Sequence, residues 1–367
     1  MESLVIANIR HRPMRTAVSI FGVALGVVLV LLMTGLASGI IQERAERDAS
    51  VGAEIIFRHS GTTSLSVSSS ALSLPVEYGQ RLLQIKGVKM VTPIGQYVQS
   101  GAGGFGFRSI DAIDFDSYRK ISGIRIIAGS EPKSEDDVIV DIRHARNNRV
   151  KPGDKIEILN QSFRIAGVYA PEIGSRVKMQ LSKLQSLMSA PDRCTLIYVK
   201  CENPSEQEEV AHRILAQLPD NHIIFTRDIP ALYSRSFPAL RPFLNVVTFV
   251  ALTVSTLTIL LAMYTAVTER TREIGILKSL GASRRFIIFT VEKEALLISG
   301  LGLTVGYLLA NIARIGITNL TPLQFISFEP RWIIITATVG IFAGLVGALY
   351  PALRAAQLDA VVALSYE

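Results

Sequence analysis

The chain has 367 residues, with 38 Lys+Arg against 31 Asp+Glu for a formal net charge of +7, 49% hydrophobic residues and a mean hydropathy of +0.35. That hydropathy excludes a disordered chain, and a total of two cysteines excludes a disulfide-dense scaffold or a multi-cysteine zinc or iron–sulfur framework. The basic balance fits nucleic acid or a membrane surface, and the placement of the charges decides between them.

Residues 17–41 carry no charge over 25 positions. As a helix this run is about 37 Å long, enough to cross a hydrocarbon layer of ~30 Å. The apolar core of a cleaved leader is about 7 to 15 residues, so the run predicts a spanning helix.

Residues 42–242 form the next block, long enough for a folded domain. The runs AEIIFR from Ala53, KIEIL from Lys155, SFRIAGVY from Ser162 and TLIYVK from Thr195 read as strands, and 75–85 and 205–218 as helices. KIEIL, then Asn160 and Gln161, then SFRIAGVY predicts a hairpin whose Ile156, Ile158, Phe163 and Ile165 face a core. Without a regular βαβ repeat, the block predicts an α+β domain. The Ser-rich 62–74 and Gly-rich 101–106 stretches are expected to be loops or edge hairpins. Cys194 and Cys201 are placed at the two ends of one strand, roughly 23 Å apart, which forbids a bridge between them. The acidic clusters Glu135-Asp136-Asp137 and Glu206, Glu208, Glu209 are expected on solvated turns and helix faces.

A second uncharged run covers 243–267, a third 295–313 and a fourth 332–349. Trp332 and Tyr350 flank the last as interfacial aromatics, and Gly340, Gly344 and Gly347 would let neighbouring helices approach closely. Glu292, Lys293 and Glu294 stand directly before the third run, as a helix still at the interface. Counted over short flanks, Arg10, Arg12, Arg15, Arg270, Arg272, Lys278, Arg284, Arg285, Lys293 and Arg354 lie on one side and only Arg314 and Arg331 on the other. The positive-inside rule then predicts both termini in the cytoplasm, 42–242 outside, 314–331 as a short external loop and 350–367 as a cytoplasmic tail. The outside block carries 26 basic and 23 acidic residues, a mixed surface that argues for no nucleic acid. The fold class is therefore a membrane protein with four transmembrane α-helices and a large α+β extracytoplasmic domain between helices 1 and 2.

A search for chemistry yields no catalytic residues and no metal or cofactor-binding set. No G-x-x-x-x-G-K-[ST] loop occurs, so the chain is not expected to hydrolyse ATP alone. H-E-x-x-H and G-x-S-x-G are absent too, and His11, His59, His144, His212 and His222 show no ligand spacing. The informative stretch is 268–294, TERTREIGILKSLGASRRFIIFTVEKE. As a helix it gathers Ile274, Leu277, Lys278 and Leu280 with Gly281 into a stripe among charges, a face that suits a protein or a membrane surface. Gly281 suits the helix end and Ser283 the cap of the next helix.

TREIGILKSLGASRRFI followed by EALLISGLGLTVG is similar to the signature of the FtsX-like permease family, the transmembrane subunits of MacB-type ABC systems. NIRHRPMRTAVSIFGVALGVVLV from Asn8 resembles that family's basic N-terminal helix entering its first span, here 1–16. GLVGALYPALRAAQLDAVVALSYE from Gly344 resembles its C-terminal end, and DVIVDIRHARNNRVKPGDKIEILNQSFRIAGVY from Asp137 its MacB-type periplasmic core. The resemblance implies an inner-membrane export or mechanotransmission subunit. A separate ABC ATPase would bind ATP and Mg, and a second permease copy or a paralogue would complete a dimer, with a periplasmic adaptor as a further partner. It also implies that the ATPase-coupling positions are Glu273, Ile274, Gly275, Ile276, Leu277, Lys278, Gly281 and Ala282. The alternative is a membrane signalling or scaffold protein that regulates an extracytoplasmic enzyme or adaptor.

Overall fold

The computed structural model describes residues 13–60, 72–100, 107–236, 240–320 and 326–359. Most of the Ser-rich stretch, all of 101–106, the segment 1–12 with Arg10 and Arg12, and the tail beyond 359 lie outside the described residues. The chain divides into a helical unit and an α+β unit that begins within the last turns of the first helix.

Four helices make the helical unit: α1 (Pro13–Ala49), α8 (Leu240–Glu269), α10 (Arg284–Leu320) and α11 (Pro330–Gln357), with the short α9 (Thr271–Ser279) between α8 and α10. Each of the four is long and apolar enough to cross a membrane, and each overruns the uncharged stretch seen in the sequence. The helix containing the third run begins at Arg284, so Glu292, Lys293 and Glu294 are helical. Pro330 starts α11 at its first position, where the missing N–H costs nothing.

Close approach between these helices is made by small residues. A Cβ on Gly344 would lie 2.0 Å from Ser299 Oγ, and one on Gly347 2.7 Å from the Thr256 carbonyl oxygen. Gly302 and Gly306 of α10 stand equally tight against Val23 and Val27 of α1. Val23, Val27, Leu31, Ile259, Met263 and Ile298 fill the interior between them. Hydroxyls on the helices are satisfied by the turn before them, as where Ser299 donates to Ala295 O at 2.8 Å and Thr336 to Trp332 O at 2.7 Å. Lipid offers no such partner.

The α+β unit runs from residue 40, so the last turns of α1 belong to it. Its elements in chain order are β1 (Ile55–His59), β2 (Leu74–Pro75), α2 (Tyr78–Leu83), β3 (Val88–Ser100), β4 (Phe107–Ile113), α3 (Phe115–Ser122), β5 (Arg125–Gly129), β6 (Asp137–Asp141), α4 (Ile142–Asn148), β7 (Lys155–Ile158), β8 (Gln161–Ala170), β9 (Val177–Gln180), α5 (Leu181–Leu187), β10 (Arg193–Cys194), β11 (Leu196–Cys201), α6 (Gln207–Gln217), β12 (Asn221–Phe225) and α7 (Ile229–Ser236). A mixed sheet orders its strands β12-β1-β11-β3-β4-β9-β6-β8-β5 with β7 beside β8, and β2 and β10 form a separate pair. β4 with β9 and β6 with β8 are parallel; the other pairings are antiparallel. Large side chains, among them Phe57, Tyr118, Phe163, Tyr169 and Tyr198, are buried in its core.

The β7–β8 hairpin is present, but its turn is Leu159–Asn160, one residue earlier than the sequence suggested. Ile158 pairs with Gln161, and Leu159 and Asn160 take φ of 50° and 59°, the positive pair that a two-residue primed turn requires. Burial of Ile158, Phe163 and Ile165 sets this register against the poor fit of leucine to positive φ. The predicted helix 75–85 contracts to Tyr78–Leu83 because Pro75 pairs with Arg193 in the small edge ladder, where its missing N–H is tolerated. Cys194 and Cys201 are not on one strand: the chain leaves the β2 ladder at Thr195 and joins the main sheet at Leu196. Both thiols are free and buried, and burial pushes them up, Cys194 to about 12 and Cys201 to about 11. Asp137 is not on a solvated turn either. It is 1% exposed and forked against Arg164 at 2.9 and 3.0 Å; that bond, opposed by burial, holds its carboxyl down at about 2.

Candidate functional site

Helix α9 follows α8 after a single residue and ends in a left-handed glycine. Gly281 has φ +93°, its N–H donates to Lys278 O at 3.0 Å, and the Ala282 N–H donates to Leu277 O at 3.0 Å. These are the two bonds of a Schellman ending. The Ser283 hydroxyl then accepts from the Phe286 N–H at 3.2 Å and caps α10. The chain thus turns twice within a few residues, and the turn is built from backbone bonds.

The sequence-derived coupling positions fall on different sides of this turn. Ile274 and Gly275 face inward, and Ile274 joins Val267, Ile287 and Ala355 in a small core backed by Phe286 and Leu358. Glu273 is exposed. Leu277 is 37% and Leu280 80% exposed, and Ile276 beside them 45%, so the apolar stripe is split: Ile274 anchors the turn, Leu280 stands free, and Leu277 is half-covered. Gly281 and Ala282 close the turn. Lys278 points back, its Nζ donating to Ala356 O at 2.9 Å and to Leu358 O at the end of α11.

Two further ties were not legible from the sequence. Arg270 Nη1 meets Glu294 Oε2 at 3.2 Å with both side chains largely buried, which joins the start of α9 to α10. Arg354 of α11 donates to the Tyr264 hydroxyl of α8 at 2.6 Å and lies 5.0 Å from its ring centre. The only signal of the first was an acid at the threshold of an apolar run, which reads equally well as an interfacial charge.

A second concentration of chemistry lies in the α+β unit, around the last turns of α1. Arg47 Nη1 is 2.7 Å from Asp141 Oδ2, and its Nε donates to Gly174 O at 2.8 Å. Arg44 bonds Asp48 at 3.0 Å, and the Tyr233 hydroxyl donates to the same carboxylate at 2.6 Å. Beneath them Lys178, fully buried, lies 3.3 Å from Asp111 Oδ2 and 4.7 and 5.2 Å from the ring centres of Tyr118 and Tyr169. Ser175 donates to Asp111 from its N–H and its hydroxyl, each at 2.7 Å. Burial pushes the Asp111 carboxyl up, but Lys178 and then Arg44 outweigh it and hold the group below its ordinary range. Burial lowers Lys178 to about 8 against the pull of Asp111. Each of these ionised groups has a counter-charge, so the cluster holds the last turns of α1 within the α+β unit.

A groove of about 370 Å³ between α6 and β12 is lined by Glu208, His212, Leu215, His222 and Phe225, with Glu208 held by Arg227. Among the described residues no group of three or more His, Cys, Asp or Glu could hold a metal ion.

Comparison with known proteins agrees with this division. Residues 16–217 match the family model of the MacB-like periplasmic core domain, and 245–360 that of the FtsX-like permease C-terminal region. The uncharacterized ABC transporter permease YvrN of Bacillus subtilis is 26% identical over 98% of this chain and 98% of its own length. YknZ of the same organism, also an uncharacterized ABC transporter permease, is 23% identical over 99% and 98%. The macrolide export ATP-binding/permease protein MacB of Rhodospirillum rubrum is 23% identical over 98% of this chain, which spans only 59% of that protein.

Proposed function

The chain belongs to the family of ABC-type permeases built from a MacB-like periplasmic core domain and an FtsX-like permease C-terminal region, and from that membership we propose that it is the membrane subunit through which a separate ABC ATPase drives its α+β domain. ATP and Mg would be held by the ATPase, which docks on the α9 turn. A second copy or a paralogue would complete a dimer. The charge asymmetry of the short flanks supports the orientation with the turn and both termini in the cytoplasm and the α+β domain outside.

The observation that carries this reading is the α9 turn. Ile276, Leu277 and Leu280 stand exposed on a backbone fixed by a Schellman ending and an N-cap, while Arg270, Ile274 and Lys278 fasten it to the helices on either side. An apolar face held rigid at a short connection is what a partner needs in order to push. ATP-dependent binding moves the permease only as far as the ATPase prefers one arrangement of the turn over the other. Export follows if the moving α+β domain acts on a substrate, and macrolides, the class named for the R. rubrum relative, are the first compounds to test.

The test is purification of the tagged chain from its native membrane in mild detergent, with ATPase assays on the complex. A stoichiometric ABC ATPase with vanadate-sensitive turnover is expected. Leu280→Asp should abolish its capture, and Glu273→Arg should uncouple its turnover with the permease still assembled. Absence of any ATPase from the intact wild-type complex, or unchanged coupling in both variants, overturns the reading.

A further inference from the structure

Lys278 lies within the sequence stretch expected to meet the ATPase, yet its ammonium is engaged elsewhere. It donates to the carbonyl oxygens of Ala356, at 2.9 Å, and Leu358, the last backbone acceptors of α11 (Pro330–Gln357, C-cap Leu358). The final carbonyls of a helix have no partner within it and carry the negative end of its dipole. A cation with several N–H donors satisfies both conditions, so Lys278 caps α11 from a different helix.

The contact is not isolated. Ile274, one turn earlier on the same face of α9, packs with Ala355 and Leu358 in the small core. The gripped segment also follows Pro351, inside α11, whose missing N–H removes one backbone bond between that segment and the rest of the helix. Ala352, Ala355 and Ala356 are buried. The end of α11 is therefore held by α9 as well as by its own helix.

Resting on the proposed docking of an ATPase at this turn, we infer that Lys278 is a positioning residue that ties the turn to the last membrane helix, so that displacement of α9 is delivered to the end of α11. Its charge is spent inside the permease, and the ATPase meets the exposed leucines and isoleucine.

The experiment uses the full chain in nanodiscs as wild type, Lys278→Gln and Lys278→Arg. Amide exchange is followed in the Gly281 and Ala282 region and at the end of α11. Loss of two charge-assisted bonds should raise exchange at both places about tenfold or more in the Gln variant, with protection retained in the Arg variant. Exchange in the Gln variant equal to wild type overturns the tie. The same proteins are then combined with the co-purified ATPase. Unchanged binding affinity with lost stimulation of turnover in Gln, rescued by Arg, is the expected result, because a defect of folding would take both. Binding lost in Gln with exchange unchanged would make Lys278 a docking contact and overturn the inference. If wild type captures no ATPase, the functional reading fails, while the exchange measurement still decides whether Lys278 holds α11.

Discussion

The α+β unit and the helical unit close their interiors in opposite ways. The first buries large rings and, beside them, the ion pairs Arg47–Asp141 and Lys178–Asp111. The second, among the described residues, buries no aromatic ring in its core of Val23, Val27, Leu31, Ile259, Met263, Ile298 and three alanines, and its glycines bring neighbouring helices to within contact. The contrast follows from what each folds out of. Leaving water rewards the burial of rings but makes an unpaired charge costly. In lipid the tails are as apolar as leucine, so helices gain only from close approach, and their large apolar residues, such as Phe249, Leu261 and Phe342, stay on the outside.

The strongest test of the first half of the contrast is Arg47→Ala. It strips the counter-charge from Asp141, itself fully buried, and frees the Gly174 carbonyl. A cost of about 3 to 5 kcal/mol is expected, visible as proteolysis of the α+β unit at temperatures where wild type resists. Arg81→Ala, which removes an exposed pair with Glu77, should stay within about 0.5 kcal/mol. Equal effects would show that the buried network is no anchor.

In the helical unit the sensitive change is the addition of atoms. Gly344→Val must displace the Ser299 hydroxyl, which stands where its Cβ would go, and a cost of ~3 kcal/mol is expected. Resistance to SDS unfolding in detergent would measure it. Removing bulk from an outward residue, as in Phe342→Ala, should leave the bundle intact.

How much of this was readable in advance follows the same division. Spans announce themselves because a membrane demands a long uncharged run, and the capping of the 281–283 turn was legible because glycine and serine each have a local reason to be there. The hairpin was legible in its strands and one residue out in its turn, since a core decides register where residue preference only suggests it. Lys178 could not be found. In sequence it is one polar residue of RVKMQ, and its partner Asp111 lies on β4, brought beside it by the parallel β4–β9 pairing. Asp137 misled for a similar reason, because its acidic neighbours suggested solvent while Arg164 lay on another strand. Lys278 stood in the sequence as one of the expected coupling positions, and nothing local to it shows that the end of α11 arrives at its ammonium.

A comparable effect probes the charge network by pH. His144 is buried, and burial, aided by Arg108, Arg176 and Arg47 and opposed by Asp141, lowers it to about 4. The unfolded chain protonates His near 6.5, so it binds more protons than the folded one between those values. Stability should therefore fall as pH drops from about 6.5 to 4, by ~3 kcal/mol, and level off below. His144→Gln should flatten that limb of the thermal-stability profile. An unchanged slope would assign the acid limb to the carboxylates instead.

The smallest change separates space from backbone. Around Gly281 and Gly300 alike, no atom lies within 4 Å of an added Cβ, so neither substitution meets a clash. Gly281, however, has φ +93°, which an L residue enters only with strain, while Gly300 is inside α10. Gly281→Ala should cost about 1 kcal/mol, and Gly281→Asn less, because asparagine tolerates the left-handed region. Gly300→Ala should stabilise by about 0.5 kcal/mol through the unfolded chain. Opposite signs in unfolding measurements on the two alanine variants would show that backbone conformation fixes the turn. The same sign in both would leave the Schellman ending without a role in holding α9, and the anchoring would then fall to Ile274, Arg270 and Lys278 alone.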